Sequence, residues 1–189
     1  MFSAILLAAG ESKRMNGENK LTKLINEKPL INHSVNNILE SSIDELIIIT
    51  GHQEEIIKKT VYKNKKIKFF FNKDYKSGMA SSIKVGLNNL SKETKFFFIC
   101  LADMPLINKE IYNQLIKHSK NNEIIVPTYK NQMGNPVLFS VSMKNKIMDI
   151  TGDYGAKKLF EKNKNKISNL EIDDQGIFKN YNTVESFII

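Results

Sequence analysis

The strongest constraint on the fold is an alternation that runs along the chain. Short, unbroken apolar runs occupy residues 3–8, 46–50, 67–71, 96–101 and 123–126. Their continuity marks strands covered on both faces, as in a parallel sheet, because a strand with one wet face would alternate. Between the runs lie stretches with helical spacing. Ile31, Val35, Ile38 and Leu39 form one stripe, and Met79, Ile83, Leu87 and Leu90 a second. Ile107, Ile111 and Leu115 form a third, with Asn108 placed to cap it. Strand and helix in alternation predict right-handed crossovers and an α/β fold: a Rossmann-like, doubly wound, mostly parallel sheet with helices on both faces. After Pro127 the pattern shifts to a strand at residues 135–139 and two short helices starting near Ser142 and Asp153. No linker, repeat or low-complexity stretch interrupts the 189 residues, so one domain, 1–189, is expected.

Charge is the unusual part of the composition. Twenty-eight Lys+Arg against twenty Asp+Glu give +8 and a pI near 9.4, values that suit a nucleic-acid partner. Yet Arg14 is the sole arginine, and nucleic-acid readers lean on arginine's planar fork. The lysines are spread thinly, as at residues 58–68 and 157–166, and read as a solvated surface; no nucleic-acid partner is expected. One cysteine, Cys100, closes no internal disulfide and offers no metal cluster. No apolar run approaches the roughly 20 residues of a membrane span, and no basic segment precedes the apolar start. A cytoplasmic protein without membrane association is the expectation.

In doubly wound sheets ligands gather beyond the carboxyl ends of the strands. That directs attention to loops 9–20, 51–52, 72–82 and 102–106, and to 129–136 if it folds back over the same edge. In the first loop, Leu7-Ala8-Ala9-Gly10 ends its strand in small residues that let backbone N–H groups approach anionic oxygens. Ser12, Arg14 and Lys20 follow. A fork and a movable point charge on a glycine-bearing loop suit a triphosphate, although a plain polar connection has the same composition. Neither the dinucleotide fingerprint nor the P-loop pattern is present.

Asp103 comes directly after the fourth strand and is followed by Pro105. It suits a Mg²⁺ ligand facing phosphates, and equally the start of a turn. Gly78, Met79, Ser81 and Ser82 enter a helix through a glycine and hydroxyls. They would place small groups beside a base or ribose, or form an ordinary cap. Two further glycine-bearing turns contain Asn135 and Pro136, and Asp153, which could cap the helix after it. His33, His52 and His118 form no catalytic or zinc constellation.

Taken in order, these motifs resemble the molybdenum cofactor nucleotidyltransferases, and most of all the molybdenum cofactor cytidylyltransferases. The likeness runs through residues 7–15, 19–21, 28–30, 50–52, 78–82, 101–105, 134–139, 152–156 and 180–183. It implies a nucleotide-diphosphosugar-transferase-like fold, a nucleoside triphosphate donor and Mg²⁺. The acceptor would be the terminal phosphate of molybdopterin, with pyrophosphate released. The implied nucleotide site comprises Leu7, Ala8, Ala9, Gly10, Ser12, Gly78, Met79, Ser81 and Ser82, with Arg14 and Lys20 on the triphosphate. Arg14, Lys20 and Asp103 would be the catalytic groups, and Asp103 and Asn182 the metal ligands. Asn135, Pro136 and Asp153 would face the pterin, and a transient contact with a molybdenum hydroxylase is implied.

Guanylyl-transferring relatives usually carry two glycines after Leu-Ala. Ala9 stands at the first of those positions and favours CTP, whereas Asn180 and Asn182 resemble the guanylyl branch. Met133 and Lys157 also depart from the basic residue and the arginine usual at those positions. Two rivals share the fold: GTP as donor, and a sugar phosphate as acceptor. A third, of another class, is a non-catalytic chaperone delivering finished cofactor.

Overall fold

The computed structural model describes residues 1–12, 18–153 and 155–182. Strand β1 (Phe2–Ala8) lies in the interior of the main sheet. Two minimal strands, β2 (Leu24–Ile25) and β3 (Lys28–Pro29), pair antiparallel outside that sheet and lead into helix α1 (Leu30–Leu39). Then come β4 (Glu45–Thr50), α2 (Glu54–Thr60), β5 (Ile67–Phe71), α3 (Met79–Asn88), β6 (Phe96–Leu101) and α4 (Lys109–Lys117). The remainder comprises β7 (Ile124–Tyr129), β8 (Gln132–Met133), β9 (Val137–Ser140), α5 (Lys144–Met148) and β10 (Ile167–Glu171).

The sheet order is β10-β7-β9-β6-β1-β4-β5, with β8 paired to β7. β1 runs parallel to both neighbours, in a register that sets Leu7 beside Ile49 and Leu101. The loops after β1, β4 and β6 therefore leave the sheet at one edge. β9 is antiparallel to β6 and to β7, and β8 is antiparallel to β7, so the expected mostly parallel sheet carries two reversed strands, β9 between its neighbours and the short β8.

Alternate residues of β1 feed two cores. Ala4, Leu6 and Ala8 join Ile31, Val35 and Ile38 of α1 and Ile111 and Leu115 of α4 on one face. Ile5 joins Ile83 and Leu87 of α3 and Ile147 of α5 on the other. Burying each of the larger side chains here, the leucines, isoleucines and valine, stabilises the fold by about 1.5–3 kcal/mol relative to exposure, which explains why the apolar runs are unbroken. α3 lies close on β1. A Cβ at Gly86 would sit 2.4 Å from Ile5 Cγ2, so no larger residue fits there.

Several boundaries differ from the sequence expectation. β7 continues through Pro127 to Tyr129. The strand tolerates the missing N–H because its register with β9 ends at Ile125, and the Pro127 carbonyl accepts from Gly134 N at 2.8 Å. Of the two short helices expected after β9, the first is a 3-10 turn at Val141–Met143 running into α5. The second is 3-10 at Ala156–Leu159, with no α-helical turn. Asn108 caps α4 as expected, its side-chain oxygen accepting from Ile111 N at 3.1 Å.

Candidate active site

The loops at the shared edge enclose a cavity of about 520 Å³ whose floor is the end of β1. Leu7, Ala8, Ala9, Gly10 and Ser12 line it from β1, and Leu101 and Asp103 from β6. Gly78, Met79 and Ser82 close a third side, and Asp153, Asn180 and Asn182 arrive from the C-terminal part of the chain.

Close packing fixes this edge. His52 N donates to Ala9 O at 3.2 Å, and a Cβ at Gly51 would lie 2.7–2.8 Å from Tyr75 Cβ, Ala9 Cβ and Ala9 O. Only glycine at 51 lets the three loops meet. Gly10 is the opposite case: a Cβ built there meets nothing within 4 Å. Protein packing does not require that glycine, whereas a ligand laid against the backbone would.

Ser12 adopts a left-handed φ of 52°, and its Oγ accepts from Lys20 N at 3.2 Å. Asn19 caps the short turn Lys20–Thr22 by accepting from Leu21 N. The Lys20 backbone is thus held from two sides. Its Nζ donates to Asp103 Oδ2 at 2.6 Å and to Asn182 Oδ1 at 2.7 Å. The 180–182 segment is fixed beside β6 because Tyr181 N donates to Asp103 O at 2.9 Å.

At the entry to α3, Gly78 has φ +106°, and a Cβ there would sit 2.6 Å from the Gly152 carbonyl group. Gly152 O accepts from Ala80 N at 3.1 Å, and Asp153 Oδ1 from Met79 N at 3.2 Å. Asp153 therefore caps α3, an element far away in sequence. Asn72, buried, donates through Nδ2 to Ser81 Oγ at 2.8 Å and Ser82 Oγ at 3.0 Å. Ser82 lines the cavity; Ser81 is engaged in holding the 72–78 loop and is not part of the wall.

The residues expected on the pterin side are divided. Asp153 faces the main cavity. Asn135 lines a second, mainly apolar cavity of about 230 Å³, with Val137, Phe139 and Ala156, which shares Met79 and Leu101 with the first. Pro136, joined to Asn135 by a cis peptide, lines neither. Arg14 lies outside the described residues, as do residues 13–17 around it. Sequence reasoning did not single out Tyr75, Glu11 or Leu21, all in the wall. Tyr75 was findable, being an aromatic residue in a loop already assigned to the ligand edge.

Among the described wall residues, Lys20 is the one cationic side chain, facing Glu11, Asp103 and Asp153. A polyanion entering this cavity would need further positive charge. The donor set suits a hard divalent cation. Asp103 and Asn182 present oxygens that already converge on one cationic group, the Lys20 ammonium. Magnesium takes few protein oxygens and completes its shell with phosphates and water. Among the described residues no group of three or more His, Cys, Asp or Glu converges. No helix among them is long and apolar enough to cross a membrane.

Comparison with known proteins places the cavity in context. A family model for the MobA-like NTP transferase domain matches residues 4–167. The bifunctional protein GlmU of Staphylococcus epidermidis is 28% identical over 145 residues, 75% of this chain and 31% of that protein. The chain thus spans under a third of that relative. A probable molybdenum cofactor guanylyltransferase of Methanosarcina mazei is 27% identical over 169 residues, 87% of this chain and 71% of its own. Among solved structures, Rv0371c from Mycobacterium tuberculosis superposes with a TM-score of 0.89 at 20% identity, covering 99% of this chain and 95% of that one. Its manganese complex superposes at 0.83 and 18%, covering 99% and 96%. At these identities the structures establish a common fold.

Proposed function

The chain belongs to the MobA-like NTP transferase family, and we propose that it transfers CMP from CTP to the terminal phosphate of molybdopterin, releasing pyrophosphate. The observation that carries this reading is the convergence of Lys20, Asp103 and Asn182 in the wall of a cavity that the open backbone of Gly10 also lines. A terminal phosphate oxygen of the acceptor forms the new bond to the α-phosphorus. The α–β phosphoanhydride bond breaks, and its electron pair leaves with pyrophosphate.

Such an acceptor is already anionic, so the protein supplies no nucleophile; positioning and charge compensation are its contribution. On this reading Ala8, Ala9 and Gly10 present backbone to the nucleotide, Met79 and Ser82 flank it, and Lys20 with Arg14 holds the triphosphate. Asp103 and Asn182 would hold Mg²⁺, which would neutralise the developing charge on the phosphate oxygens. Asn135 and Asp153 are assigned to the acceptor side. Residues 1–189 act as one nucleotidyltransferase domain in the cytoplasm, serving a molybdenum hydroxylase.

GTP as donor is a second reading with its own support. The Methanosarcina relative is named a guanylyltransferase, and Asn182 resembles that branch, whereas Ala9 favours CTP. Pyrophosphate release with each nucleotide, with and without molybdopterin, separates the two. Release only with a sugar phosphate as acceptor would discard both.

A further inference from the structure

We infer that Lys20 and the divalent cation are alternative occupants of the same two oxygens, so that the cation enters this site together with the nucleoside triphosphate and not as the free ion. The inference rests on the metal-dependent reading given above. Lys20 Nζ donates to Asp103 Oδ2 and Asn182 Oδ1 at 2.6 and 2.7 Å. The Lys20 and Asp103 side chains are only 19% and 14% exposed, so this is not a loose surface pair. A divalent ion placed on both oxygens would sit against an ammonium group, and like charges at that separation repel strongly in a partly buried site. One must leave for the other to bind.

Lys20 is built to move. Its backbone is held by Ser12 Oγ and by the Asn19-capped turn, while the ammonium is a point charge on a flexible four-carbon stem. A triphosphate brings several anionic oxygens at once. Its arrival draws the ammonium off Asp103 and Asn182 and frees both oxygens for the ion that travels with the phosphates. Lys20 thereby keeps free divalent ions out of the empty site and couples metal binding to nucleotide binding.

The test is Mn²⁺ titration followed by electron paramagnetic resonance, on the wild-type chain and on Lys20→Met and Lys20→Gln. Without nucleotide, both variants should bind Mn²⁺ roughly tenfold or more tightly than wild type, since a competing charge-assisted bond has gone. Adding CTP or GTP should raise wild-type Mn²⁺ affinity far more than that of the variants. If the variants bind Mn²⁺ alone no more tightly than wild type, while wild type binds it with nucleotide, the exchange is refuted and the metal-dependent reading stands. If wild type binds no Mn²⁺ even with both nucleotides, the metal-dependent reading itself fails, and the exchange with it.

Discussion

Lys20 Nζ lies 2.6 Å from Asp103 Oδ2, joining the loop after the first strand to the loop after the sixth across 83 residues of sequence. This pair ties the two sides of the cavity together, and both partners are among the groups that sequence reasoning had assigned to phosphate and metal.

Asp103→Ala should lower nucleotidyl transfer about 10²- to 10³-fold, the usual loss when a preorganised charged group is removed from a transferring site. A steady-state pyrophosphate assay measures it. A chaperone that merely carried finished cofactor would lose nothing in this assay and would still activate its hydroxylase after the change.

Two glycines should behave in opposite ways. Gly78→Ala forces a residue at φ +106° into the Gly152 carbonyl and should cost about 1–3 kcal/mol of stability, visible as a lowered thermal midpoint. Gly10→Ala meets no protein atom within 4 Å and should leave stability within about 0.5 kcal/mol. It should weaken nucleotide binding roughly tenfold by standing off the backbone donors. Thermal melts and nucleotide titration of both variants check the pair.

Cys100 predicts an alkaline dependence of stability. Burial pushes its thiol from an ordinary value of 9.0 up to about 12, against a smaller opposing contribution from the Tyr112 hydroxyl. The native state therefore keeps a proton that the unfolded chain releases, so stability should fall as pH rises above about 9. The thiol's share of that slope is at most about 1.4 kcal/mol per pH unit. It ends near pH 12, where the native thiol also ionises. Urea unfolding between pH 8 and 10 should show a flatter profile for Cys100→Ala; equal slopes would contradict the assignment.

Much of this arrangement was legible in the sequence because it depends on local patterns. β1, β4 and β6 are buried on both faces, so their apolar runs are continuous, and their ends located Gly10, Gly51 and Asp103 at one edge. The direction of β9 was not legible. Four residues carry no signal for antiparallel entry, which is set by the turn through Gly134 and its packing on Ile177. The partner of Asp153 was hidden for the same reason. A cap on α3 supplied from 74 residues away leaves no spacing to read, whereas Asn108, three residues before the N–H it satisfies, could be found directly. Arg14, whose fork on a glycine-bearing loop suits a triphosphate, lies outside the described residues.

Nucleotidyl transfer to a phosphorylated acceptor is tested by pyrophosphate release from the purified chain with Mg²⁺, CTP or GTP, and molybdopterin, each omitted in turn. Release should require molybdopterin, the divalent ion and one of the two nucleotides, with CTP preferred, and should fall about 10²- to 10³-fold in Asp103→Ala. Release that is indifferent to molybdopterin, or that appears only with a sugar phosphate in its place, would contradict the proposed transfer to molybdopterin.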